Sequence, residues 1–153
     1  MSNIKEALIP PHDVVSRVVT KEDIERIHKD SPLMTVLCNE DTGYNKTGGF
    51  AVAHSQITKD DPLRFFVLRD GKVFINPVIV NQTKVGKLVV EGCLSIPDKP
   101  HIRIQRPYKI TVQYQTLTED GTGLTEPYTA GFKGVAAQIF CHEVDHFDGK
   151  YIQ

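Results

Sequence analysis

Apolar and polar positions change rhythm several times along the chain. A stretch to about Val15 contains Pro10 and Pro11 and reads as extended; Thr20 with Asp23 three residues on then makes a capping pattern. It opens a helix through Ile24, Ile27 and His28. Ser31-Pro32 is expected to restart or kink that helix, because proline suits a first turn and disrupts an interior one. Leu33, Met34, Val36, Leu37 and Cys38 carry the apolar stretch on, and the arm ends near Asn45. Short strand-like runs follow at Phe65 to Leu68, Val73 to Ile75, Val78 to Val80, Leu88 to Val90 and Ile102 to Ile104. The longest is Ile110 to Tyr114, before the turn signal Glu119-Asp120-Gly121. A last helix is predicted from about Phe132 to Phe147, with Val135, Ala136, Ile139 and Phe140 at helical spacing and Gly149 suited to the left-handed backbone past its end. A helix, many strands and a buried helix make an α+β plan, with partly antiparallel sheets wrapped around a central C-terminal helix.

That final helix carries the chemistry. His142-Glu143-Val144-Asp145-His146 is an HExxH pentapeptide, and four residues is slightly more than one helical turn, so both imidazoles project from one face. They can share one ion, while Glu143, about 100° around the helix, reaches a water on that ion rather than the ion itself. Two ligands leave a site incomplete. Glu91-Gly92-Cys93-Leu94-Ser95, just off the run Leu88 to Val90, offers a soft thiolate suited to Zn²⁺ or Fe²⁺, although spacing alone does not separate a ligand Cys93 from a core thiol.

Composition bounds the rest. The 153 residues suit one domain with its own core, and 40% apolar with 24% charged residues is ordinary globular usage. A formal net charge of -1 supplies no field for a phosphate backbone, so nucleic acid is not expected as a specific partner, a local patch from Lys99 to Arg106 aside. No apolar run approaches the ~20 residues of a membrane-crossing helix, and the first residues lack a signal-peptide pattern. A cytoplasmic protein is expected. Cys38, Cys93 and Cys141 are then reduced thiols, each open to a ligand, nucleophile or inert core role.

Two further runs give these residues a context. Glu91 to Ser95 and His142 to His146 resemble the second and third signatures of the peptide deformylase family, and Gly49-Phe50-Ala51-Val52-Ala53-His54-Ser55-Gln56 is similar to its first, G-x-G-x-A-A-x-Q. They come in family order, with Asn76-Pro77 between the first two. The resemblance implies a minimal, single-domain deformylase with a short C-terminus. Its enzymes remove the N-formyl group from formyl-methionine on nascent polypeptides and release formate. It further implies that Cys93, His142 and His146 bind one divalent ion, natively Fe²⁺, with Zn²⁺, Ni²⁺ or Co²⁺ able to replace it. Glu143 would be the general base and then the acid, with Gln56 and the Leu94 N–H stabilising the oxyanion. Substrate backbone would run beside Gly49, Phe50 and Ala51 as an added strand, and the methionine side chain would meet Val135, Gln138 and Ile139 on the last helix. Glu91 either orients a metal-bound histidine or makes a surface salt bridge. A monomer with transient ribosome contact and no membrane partner completes the expectation.

The first signature departs from the pattern at Ala51 for glycine, His54 for alanine and Ser55 at the variable position. Ala51 adds a methyl where substrate backbone approaches, and His54 is expected at the surface. Two other readings use the same residues: an HExxH metallopeptidase, normally completed by Glu, His or Asp rather than Cys, and an inactive peptide-binding relative.

Overall fold

The computed structural model describes residues 7–39, 51–83, 86–91 and 102–150. Gly49, Phe50, Cys93 and Leu94 therefore lie outside the described residues, as does the stretch from 40 to 45. The capping pattern at Thr20 holds: its N–H donates to Asp23 Oδ2 at 2.8 Å and a short 3₁₀ turn, Lys21–Asp23, leads into α1, Ile24–Asn39. Pro32 neither restarts nor divides α1, which runs on as one 16-residue helix. Tertiary packing overrides the local penalty: Ile27, Met34, Leu37 and Cys38 all bury on one side.

The strands are β1, Ala51–Ala53; β2, Phe65–Leu68; β3, Val73–Gln82; β4, Gly86–Glu91; β5, Ile102–Pro107; β6, Lys109–Gln115; and β7, Tyr128–Lys133. Five form an antiparallel sheet in the order β1-β2-β3-β6-β7, and β4 and β5 form a separate antiparallel hairpin. The two runs predicted at 73–75 and 78–80 are one strand. Asn76, at φ 51, makes an irregularity between them where the register with β6 shifts. Its side chain is fully used: Oδ1 accepts from Val19 N–H at 2.8 Å, and Nδ2 donates to Val19 O and Gln115 Oε1.

The apolar pattern missed the three-residue β1 and the longer β7. Phe132 lies in β7, and the last helix, α2, is Val135–Phe147 rather than beginning at Phe132. Gly134 separates them at φ 64, a conformation that only glycine adopts without strain, and its N–H donates to Tyr108 O at 2.9 Å. The helix ends as expected at Gly149, φ 74.

Side-chain alternation sends the sheet's residues to two cores. Val52, Phe65, Val67 and Ile75 pack with Ile27, Met34, Leu37 and Cys38 of α1. Ala53, Phe66, Phe74, Ile110 and Val112 pack with Ala137, Phe140, Cys141 and Phe147 of α2 on the other face. Phe66 is central there, stacked on Phe74 at 5.2 Å and edge-on to Phe140 at 5.1 Å. β5 also contacts α2, and together these contacts hold the HExxH helix against the sheet.

Candidate metal centre

His142, Glu143 and His146 lie on the C-terminal half of α2. The Nε2 atoms of His142 and His146 stand 3.0 Å apart, and one ligand-capable atom from each of the three side chains falls within 4.8 Å of the others. The nitrogen separation is close to that of two imidazoles each bound at about 2.0–2.1 Å to one tetrahedral ion. His146 and Glu143 are buried and His142 is half-buried, so the two nitrogens converge at the boundary between core and solvent. Two imidazole nitrogens aimed at one point suit a divalent cation, and this donor set fits one. Asp145, between them in sequence, accepts from Arg106 Nη1 at 2.7 Å. Arg106, at the end of the basic stretch noted above, is thus buried against the HExxH helix rather than displayed to a polyanion.

Gln56 sits in a 3₁₀ turn, His54–Gln56, that follows β1 and packs on α2. Its amide has a fixed sense: Oε1 accepts from Ala53 N–H at 2.9 Å, which makes Nε2 the donor end. The turn is anchored at every residue. Ser55 Oγ donates to His146 O at 3.4 Å, Ser55 O accepts from His12 Nε2 at 2.7 Å, and Gln56 O accepts from Ile9 N–H at 2.9 Å. His12 can donate there because its Nδ1 accepts from Val14 N–H.

His54 is not a surface residue. It is completely buried, its ring stacked on Phe65 at 4.7 Å. Leu63 N–H donates to Nδ1 at 2.9 Å, so the proton is on Nε2, which donates to Asp30 Oδ2 at 2.8 Å. Burial pushes this imidazole below its ordinary range, with the Asp30 hydrogen bond pulling the other way. His12, Asp30 and Arg106 were invisible as site neighbours in the sequence. Their partners lie 43, 24 and 39 residues away, and no spacing rule spans such gaps.

Of the substrate-side residues, Ala51 is half-buried on β1, which among the described residues pairs only with β2 and so forms a sheet edge. Val135 is 60% exposed, and Gln138, Ile139 and His142 are half-buried. These four make an accessible stripe leading along α2 to His142. Glu91 closes β4 opposite Ile102, two residues before Cys93. Cys38 drops out of the candidate thiols: burial, reinforced by the charge of Glu143, pushes it up to about 12. Cys141 is buried in the α2 core.

An α+β scaffold that buries an HExxH helix with convergent imidazoles and a carboxylate between them defines a metal-dependent hydrolase. Residues 21–153 match the polypeptide deformylase family. The chain is 37% identical over 110 residues to peptide deformylase 2 of Clostridium acetobutylicum, covering 71% of this chain and 68% of that one. It is 34% identical to the peptide deformylase of Mesorhizobium japonicum, over 95% of this chain and 80% of the relative. The solved peptide deformylase of a Vibrio parahaemolyticus bacteriophage superposes with a TM-score of 0.69 at 29% identity, covering 94% and 95% of the two chains. This chain belongs to the polypeptide deformylase family, hydrolases that use a divalent metal to remove the N-formyl group from nascent peptides.

Proposed function

We propose that this chain deformylates formyl-methionyl peptides at an ion held by Cys93, His142 and His146. The observation that carries the reading is the 3.0 Å convergence of the two Nε2 atoms, with Glu143 buried beside them. When bound, the ion supplies a lowered pKa for water and polarises the formyl carbonyl. Glu143 takes the proton from water as its oxygen attacks the formyl carbon, then delivers it to the amide nitrogen as the C–N bond breaks, giving formate and a free amine. Gln56 Nε2 and the Leu94 N–H donate to the carbonyl oxygen as charge develops on it. Peptide backbone adds to the β1 edge beside Gly49, Phe50 and Ala51, and the methionine side chain lies along Val135, Gln138 and Ile139. Glu91, ending β4 close in sequence to Cys93, orients a ligand histidine.

Fe²⁺ is proposed as the native ion, with Ni²⁺, Co²⁺ or Zn²⁺ able to occupy the same donors. A thiolate ligand makes an iron site oxygen-sensitive, so anaerobically purified protein should contain iron and Ni²⁺ should restore activity lost in air. Nascent formylated chains emerge at ribosomes, so transient ribosome contact in the cytosol is proposed, with the enzyme working as a monomer. The direct test is formate release from a formyl-Met-Ala peptide, run beside internal cleavage of an unformylated peptide. Formate without internal cleavage is expected; the reverse would make the chain a metallopeptidase, and neither would make it a binding protein.

A further inference from the structure

His54 and Asp30 have no part in the chemistry above, yet they form the most completely engaged polar pair beside it. The ring is fully buried, and its two nitrogens reach partners in separate parts of the fold, Asp30 on α1 and Leu63 just before β2. Its carbonyl accepts from Ile57 N–H at 3.1 Å, closing the turn that carries Gln56. Asp30 is itself steadied by Arg26, whose Nε lies 4.0 Å from its carboxylate. Arg26 donates in turn to the carbonyls of Asp60 and Asp61 in the segment before β2. The path from α1 to the Gln56 turn is thus a run of directed hydrogen bonds through one imidazole.

We propose that His54, locked to Asp30, is a positioning residue that sets the donor amide of Gln56 for the oxyanion. This rests on the reading of Gln56 as an oxyanion donor. The physical reason is the shape of the turn. Gln56 Oε1 is tied to Ala53 N–H immediately before the turn, so rotation of the turn moves the Nε2 donor with it. Ile9, His12 and the His146 carbonyl restrain its other two residues, and His54 ties it by hydrogen bonds to α1 and Leu63. Misplacement of a donor by about 1 Å can cost on the order of 10² in rate without weakening substrate binding.

The test is a set of double-mutant cycles on the metal-loaded enzyme, reading kcat, KM, metal content and Tm. Asp30→Ala and His54→Ala should lower kcat about tenfold with KM and metal content unchanged, and should have no further effect in a Gln56→Ala background. Asp30→Asn keeps an acceptor for Nε2–H and His54→Gln keeps a donor at the Nε2 position, so both should recover most of kcat. Should His54→Ala fail to fold, the Asp30 pair carries the same test, since that side chain is 21% exposed on a helix surface. Unchanged kcat in Asp30→Ala, or equal losses in both backgrounds, overturns the inference while leaving deformylation intact. No effect of Gln56→Ala itself would instead overturn the oxyanion reading on which it rests.

Discussion

Gln56 and His54 show how much a single side chain's surroundings decide. With its carbonyl oxygen already taken by Ala53 N–H, Gln56 presents a donor of known sense in a turn packed on the HExxH helix. Gln56→Ala should therefore reduce kcat by about 10²–10³ with little change in KM, measured by steady-state formate release. The HExxH face was legible in the sequence because helical spacing is a local property. That spacing brings Glu143 within reach of the two convergent imidazoles, while its burial comes from tertiary packing. His54 was not legible. A lone histidine reads as surface on composition, and what buries this one is a carboxylate 24 residues earlier and an amide 9 residues later. Cys93 was recognisable only from the residues around it, since its distance from His142 carries no geometric meaning.

At the level of elements, most strands follow from their apolar runs, and the exceptions have physical causes. β7, Tyr-Thr-Ala-Gly-Phe-Lys, has too little contrast between its faces to read as a strand: Tyr128, Thr129, Gly131 and Lys133 are exposed and Ala130 and Phe132 only half-buried. Pro32 reads as a break, but the apolar face of α1 docked on β1 and β2 holds the helix through it. β2 is buried on both faces, with Phe65 and Val67 toward α1 and Phe66 toward α2. Phe66→Ala should destabilise by about 3–5 kcal/mol in urea unfolding, because the aromatic cluster around it cannot close the cavity. At the end of α2, a Cβ on Gly149 would sit 2.7 Å from Asp13 O, and its φ is +74. Gly149→Ala should cost about 1–3 kcal/mol and loosen the N-terminal segment against the metal helix, seen as faster amide exchange at Ser16, whose N–H donates to Phe147 O.

For the whole molecule, two sets of titrating groups give stability a stepped dependence on pH. The folded state holds His54 neutral, so the unfolded chain takes up its proton first. That contribution is complete above the ordinary value of 6.5 and is lost as pH falls below it. Arg17 hydrogen bonds hold Asp23 and Asp61 below their ordinary 3.8, so their contribution is lost only in more acidic solution. Urea midpoints should fall between pH 7 and 5 in the native chain and stay flatter there in His54→Gln, with the acid step retained. The fold and the metal helix unite in one claim, that Glu143 moves the proton in a metal-dependent deformylation. The most direct measurement compares metal content and formate release of the native chain and Glu143→Ala, purified anaerobically and loaded alike. Equal metal content with kcat lowered by at least about 10²-fold in the variant is the predicted result. Equal rates of formate release at equal metal content would contradict it.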